Sequence, residues 1–253
     1  MTENEAREIM ERATDRGAPI PNIIEYSEAL RKTREVLGSN YTEEQLNNWI
    51  LVGKYPFLMP KYWNREEMQY KIDEDYHYTY TELDAMPDGW RNAFGEMMCE
   101  EIYNALIKCG GLDDYRIEQI KEKYGCLRWY SSPSYEEVER IIDKYSVLSE
   151  NICITCGKPD VPMTNNGWLS PFCKKCFTTP ADWQKKECPE EVERWIQFRT
   201  EDWEEYNDED ENKMLDSYTV IGWSKEYGNK TTRYDISATA NKIRAKWRVG
   251  HGE

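Results

Sequence analysis

Histidine is scarce in this chain of 253 residues; His77 and His251 are the only two. That removes most chemistry that uses imidazole as a base or a metal ligand near neutral pH. Ser-His-Asp groupings, P-loops and Gly-rich dinucleotide loops are absent as well. Long apolar runs are also missing, and none approaches the ~18–20 residues needed to span a bilayer. The opening stretch MTENEAREIMERATDR has no apolar middle of the kind a signal peptide carries, so the expected location is cytoplasmic, without a membrane partner. Phenylalanine is sparse too, 5 residues against 10 Trp and 18 Tyr. Hydrophobic residues reach only 39%, and the mean hydropathy is −0.89. Those values point toward disorder, but 13% aromatics argue for a folded chain, because disordered segments are poor in rings. The expected core is built from large rings whose polar tips need partners.

Acid is abundant. Asp and Glu number 48 against 33 Lys and Arg, for a net charge of −15. Such a molecule is repelled by phosphate unless its charge is segregated. The charge is uneven: residues 181–216 carry 14 acidic and 5 basic side chains, whereas residues 225–253 carry 7 basic and 3 acidic. The densest acid runs from Glu201 to Glu211 and includes Trp203, Glu204, Glu205, Tyr206, Asp208, Glu209, Asp210 and Glu211. A solvated linker is one reading of it. Trp203 and Tyr206 favour the other, an ordered phosphate-like surface that binds a basic protein, since a solubilising tail rarely spends aromatics.

The eight cysteines are the most informative residues. Cys153, Cys156, Cys173 and Cys176 form C-x2-C-x16-C-x2-C. A two-residue gap lets both thiolates of a pair reach one tetrahedral ion, and Gly157 supplies the positive φ that such a knuckle uses. The expected cofactor is Zn2+, in a structural role because four thiolates leave no position for water. Buried thiols or a redox pair are the other readings of the spacing. Lys158, Lys174 and Lys175 lie near in sequence to offset the thiolate charge. Pro159, Pro162, Asn165-Asn166-Gly167 and Pro171 suit the hairpins of a ribbon. Zinc nucleases need histidines beside such a ribbon, and none lies between His77 and His251. Nucleobase deaminases need H-x-E and P-C-x-x-C, but residue 172 is Phe and no H-x-E occurs. Cys99, Cys109, Cys126 and Cys188 read as buried small hydrophobes. Asp73, Asp75 and His77 share one face if extended, which makes them a candidate divalent-metal site beside the reading of a solvated strand face.

Periodicity predicts helices over Glu5–Arg16 and Tyr26–Leu37, and one opened by a capping box at Thr42. Tyr55 to Pro60 reads as a loop laying aromatics on the core. Asp73 to Tyr80 reads as a strand or extended loop, and Pro87-Asp88-Gly89 as a turn. Trp90 to Cys109 is a helix with Phe94, Met97, Met98, Ile102, Leu106 and Ile107 on one face. Asp113 or Asp114 then caps a second helix through Ile117, Ile120 and Tyr124, ended by Gly125. Leu127–Tyr130 is a short strand. Ser134-Tyr135-Glu136-Glu137 is a capping box before a helix through Tyr145. Tyr218–Ile236 is a hairpin around Gly228-Asn229. Ile243, Ala245, Trp247 and Val249 alternate with Lys242, Arg244, Lys246 and Arg248, which predicts a basic strand. The expected fold class is α+β: a helical N-terminal region over 1–88, a helix-strand-helix segment with a four-cysteine zinc ribbon over 89–180, and an acidic segment with a β-hairpin and basic strand over 181–253.

Across residues 89–176 the order of motifs is specific. Gly89-Trp90 is followed by Ile117-Glu118-Gln119-Ile120-Lys121-Glu122-Lys123-Tyr124-Gly125, then Leu127-Arg128-Trp129-Tyr130, then a helix ending Tyr145-Ser146-Val147-Leu148-Ser149, then C-x2-C-G-x-P, Gly167-Trp168 and C-x2-C. This order resembles a group of small zinc-ribbon proteins encoded by phages and prophages, mostly of unassigned function. Cys126 stands where the group would have glycine. The resemblance implies a phage-encoded protein acting in the host cytoplasm, and it brings no activity with it. Three functions fit the sequence. The first is a non-enzymatic interaction protein that binds a basic surface, such as that of a nucleic-acid-processing defence enzyme, by acidic mimicry. The second is a zinc-ribbon nucleic-acid-binding regulator using Arg128, Trp129 and the basic C-terminal stretch. The third is a divalent-metal-dependent enzyme built on Asp73, Asp75 and His77.

Overall fold

The computed structural model describes residues 42–72, 76–165, 167–206, 219–222 and 232–252. The two helices expected before residue 41, the turn at Gly228-Asn229, and Asp73 and Asp75 lie outside the described residues.

Thr42 caps the first described helix, α1 (Glu43–Lys54), through the expected box: its hydroxyl accepts from Gln45 N at 3.2 Å while Gln45 Oε1 accepts from Thr42 N at 2.8 Å. A 3-10 turn (Pro56–Leu58) follows, and Tyr55, Phe57 and Leu58 go into the core as expected of that loop. A small hairpin, β1 (Tyr62–Asn64) with β2 (Gln69–Lys71), was not foreseen from the sequence. Residues 76–80, read as strand or extended loop, form no strand.

Pro87-Asp88-Gly89 does not turn away; it opens a helix. α2 (Asp88–Trp90) passes through a π turn (Arg91–Gly95) into α3 (Glu96–Cys109), with Gly110 at φ +70° ending it. Met98, Ile102 and Leu106 line the buried face, while Ile107 is exposed.

The helix expected over Ile117–Tyr124 is a strand. β3 (Arg116–Lys123) pairs antiparallel with β4 (Cys126–Ser132). The apolar spacing at 117 and 120 is helical because the register slips between Ile117 and Gln119. That bulge changes the pleat's phase by one residue, so both isoleucines point inward from a strand. Tyr124 (φ +56°) and Gly125 (φ +74°) form the two-residue turn. Cys126 lies beyond it, buried with its Sγ 3.0 Å from Ser146 Oγ, so it does not disturb the turn. α4 (Glu136–Ser149) starts at Tyr135 rather than by a Ser134 capping box; the Ser134 hydroxyl instead donates to Glu139.

The ribbon contributes β5 (Met163–Asn165), β6 (Leu169–Pro171) and α5 (Lys174–Thr178). α6 (Asp182–Glu187) and α7 (Val192–Tyr206) follow, then the expected hairpin strands β7 (Thr219–Gly222) and β8 (Thr232–Asp235). The basic strand expected near the C-terminus is a helix, α8 (Ser237–His251). The alternation over 242–249 hides the burial pattern, which is Ile236, Ala240 and Ile243 at helical spacing, with Val249 exposed. The architecture is thus mixed helix with four two-stranded antiparallel pairs among the described residues.

One buried cluster draws on residues from Val52 to Ile243, including Leu83, Phe94, Ile102, Trp129 and Tyr145. Its large rings have polar tips, and these tips find partners. Trp90 Nε1 donates to Ile152 O at 2.9 Å and Trp129 Nε1 to Tyr115 Oη at 3.1 Å. Tyr145 Oη donates to Glu101 and Tyr55 Oη to Glu100, each at 3.0 Å. Leaving such groups unpaired would cost about 1–3 kcal/mol each. Burial is the main reason both tyrosines have their pKa pushed far up, with Glu101 adding to it at Tyr145.

Candidate metal centre

Each C-x2-C forms one knuckle. In the first, Cys153 O accepts from Gly157 N at 2.9 Å, and Gly157 takes φ +82° to close the loop. In the second, Cys173 caps α5: its Sγ accepts from Cys176 N at 3.4 Å and its carbonyl from Phe177 N at 2.9 Å. Ile154 N donates to Pro171 O at 2.9 Å, which ties the first knuckle to β6 just before the second. The result is four sulfurs within 4.8 Å of one another, Cys153 and Cys173 buried, Cys156 and Cys176 partly so. Cys156 Sγ and Cys173 Sγ are 3.7 Å apart, far too long for a disulfide bond. That separation matches the ~3.8 Å edge of a tetrahedron whose corners lie ~2.3 Å from a central ion.

Without a cation, Cys153 and Cys176 hold their protons. Cys153 is pushed well above the usual thiol range, first by its hydrogen bond with Cys173 and then by burial. Cys176 is pushed up to about 12, chiefly by burial and then by the neighbouring Cys153. A bound cation reverses this, because a coordinating thiol is deprotonated outright. The four residues therefore suit a metal ion and leave no corner for water or substrate.

The centre is braced on two sides. Gly89 N donates to Ile154 O at 2.9 Å, and a Cβ on Gly89 would fall 2.2 Å from Cys153 O. Only glycine lets the start of α2 press this closely on the first knuckle. Trp90 then hooks Ile152 O, so Gly89-Trp90 is the ribbon's docking point. On the other side α7 lies along α5. Trp195, Arg199 and Trp203 recur at helical spacing. The Arg199 guanidinium sits 3.3 Å over the Phe177 ring and donates to Phe177 O, and Lys174 lies over Trp203 and pairs with Glu204.

Lys174 therefore serves the acidic helix, while Lys158 and Lys175 are exposed. Of the acidic candidates, Trp203 and Glu204 meet at Lys174, and Glu205 and Tyr206 end α7. Asp208, Glu209, Asp210 and Glu211 lie outside the described residues. His77 is exposed, and its carbonyl accepts from Gln45. Trp129 is buried in the core, so it cannot contact nucleic acid. In α8, Arg244 grips Asp160 with two bonds of 2.7 and 2.8 Å, and Lys246 donates to Asn92 O. These two cations hold α8 against the ribbon and the π turn. Among the remaining cysteines, Cys99 and Cys126 are buried as expected, whereas Cys109 is exposed and Cys188 half-buried. The Gly89 contact and the α7 stripe were missed in the sequence; the Trp195, Arg199, Trp203 spacing was the available signal.

Among the described residues no helix is long and apolar enough to cross a membrane. No protein-family model matches the sequence, and neither a curated protein nor a solved structure matches it.

Proposed function

We propose that the protein is a non-enzymatic, zinc-braced interaction protein that binds a basic protein surface through the acidic side of α7 and the chain beyond it. Zinc is the assignment for the metal because a closed set of four thiolates at tetrahedral spacing suits Zn2+, with iron as the competitor. The observation that carries the binding reading is the anchoring of α7. Arg199 over the Phe177 ring and Trp203 under Lys174 fix one side of the helix to the second knuckle, while Glu193, Glu201 and Glu204 are exposed. An anchored set of carboxylates presents a fixed field, whereas a loose tail does not. The partner class that fits is an enzyme whose groove is built for phosphate, such as a nucleic-acid-processing defence enzyme. The motif order, which resembles that of phage zinc-ribbon proteins, supports that setting. A bound protein would exclude DNA or RNA from the groove and act as a competitive inhibitor.

The test neutralises Glu204, Glu205, Asp208, Glu209, Asp210 and Glu211 to Gln or Asn. Partner capture from the native host, and its salt dependence, should fall in this variant. Zinc content and melting temperature should hardly move, because an exposed pair such as Lys174–Glu204 contributes only ~0–1 kcal/mol. A variant that captures the same partner as well as the parent does would reduce the acidic run to a solvated surface.

A further inference from the structure

A second surface carries the opposite charge. The β3–β4 hairpin, residues 116–132, holds Arg116, Lys121, Lys123 and Arg128 against Glu118 and Glu122. Both carboxylates are engaged: Glu118 pairs with Arg116, and Glu122 accepts from Gly125 N and from Trp168 Nε1. Lys121, Lys123 and Arg128 have no carboxylate partner among the described residues. Lys121 and Arg128 also stand directly opposite each other in the antiparallel register. Like charges in that position destabilise a hairpin, so the fold retains a repulsion that an anion would relieve.

Rings accompany these cations. Lys121 lies 5.3 Å from the Tyr130 ring and Lys123 5.3 Å from Tyr124. Tyr124 is 67% exposed, and Trp168, which donates to Glu122 near the hairpin tip, is 63% exposed. Tyr124 occupies a left-handed turn position at φ +56°, where Asn or Gly would be less strained. A bulky ring is thus held in a strained conformation and pointed at solvent. Strain of this kind collects at functional sites.

We propose that this hairpin and its tip bind single-stranded nucleic acid, with Lys121, Lys123 and Arg128 meeting phosphates and Tyr124, Tyr130 and Trp168 stacking bases. Alternating cations and exposed rings are the general means of holding a flexible strand, since every base has a stacking face. Its residues are distinct from the carboxylates of α7, and the proposal does not depend on them. It also differs from the basic C-terminal stretch, where Arg244 and Lys246 are committed internally.

The experiment uses the full chain and a labelled oligothymidylate or oligouridylate of about 12 nucleotides, read by fluorescence anisotropy from about 50 to 200 mM salt. Three phosphate contacts predict a log–log salt slope of about −2 for a single strand. The triple variant Lys121→Gln, Lys123→Gln, Arg128→Gln should lose that slope. Tyr124→Asn and Trp168→Ala should each weaken binding about tenfold. Tyr124→Asn should not melt earlier than the parent, which separates lost contact from lost fold. Absence of salt-dependent binding, or binding that survives both sets of changes, overturns the proposal. So does a polyglutamate peptide that binds as tightly as the oligonucleotide and ignores Tyr124→Asn and Trp168→Ala; that result would assign the hairpin to an acidic protein.

Discussion

Gly89→Ala tests the docking of the ribbon on the helical body. The added Cβ would sit 2.2 Å from Cys153 O and 2.6 Å from Ile154 C and O. All three obstacles are backbone atoms, so no side chain can swing aside, and the knuckle or the helix must move. Overpacking of this kind costs ~1–3 kcal/mol. The displaced Gly89 N–H···O bond to Ile154 adds ~0.5–1.5 kcal/mol. Helix propensity returns at most ~1 kcal/mol of that. The net expectation is a loss of about 2–3 kcal/mol, or a melting temperature lower by roughly 4–12 °C for a chain of this size. Gly250→Ala is the matched control: it is also helical, its Cβ would meet nothing within 4 Å, and it should hold or slightly raise stability. Thermal unfolding by circular dichroism reads both variants. A chromophoric chelator competing for the metal should strip Gly89→Ala faster than the parent, because the shifted knuckle carries Cys153 and Cys156. If Gly89→Ala melts with the parent and gives up metal no faster, the ribbon is not docked through this close contact and the reasoning fails.

Cys153→Ser should lose metal and melt early, because the binding energy of a structural metal is folding energy. Cys188→Ser and Cys109→Ser, which lie outside the cluster, should do neither; elemental analysis beside a melting curve decides. Metal binding should release protons, since Cys153 and Cys176 are held protonated without a cation. The apparent affinity therefore weakens as pH falls, and titration calorimetry in two buffers of different ionisation enthalpy should show it; no buffer dependence near neutral pH would speak against thiolate ligation. Arg244→Ala breaks a two-bond grip on Asp160 by a side chain only 14% exposed, and should cost about 1–2 kcal/mol. Arg244→Lys should recover only part, since an ammonium cannot make the paired contact; full recovery in urea denaturation would show that charge alone matters.

The four-cysteine cluster was legible because two short spacings and a ribbon-length gap encode it locally. The Thr42 cap, the helix through Ile102 and the core role of Tyr55 and Phe57 were legible for the same reason. What the sequence concealed depends on distant partners. Ile117 and Ile120 carry helical spacing, and only the bulge opposite Ser131 and Tyr130 makes that spacing compatible with a strand. Residues 242–249 alternate like a strand, yet helix α8 is set by Ile236, Ala240 and Ile243 reaching the core. Gly89 reads as a turn residue until Cys153 O is seen against it. The acidic segment looked like either a tail or a surface; the contacts of Arg199 and Trp203 with α5 show its first half to be anchored.

The central claim is that Cys153, Cys156, Cys173 and Cys176 hold one zinc ion that braces the fold. Elemental analysis of the full chain, purified without added metal and dialysed, tests it most directly. The account predicts one zinc per chain, retained through dialysis and absent from Cys153→Ser. A reduced, metal-free chain that keeps the parent's melting temperature would contradict it.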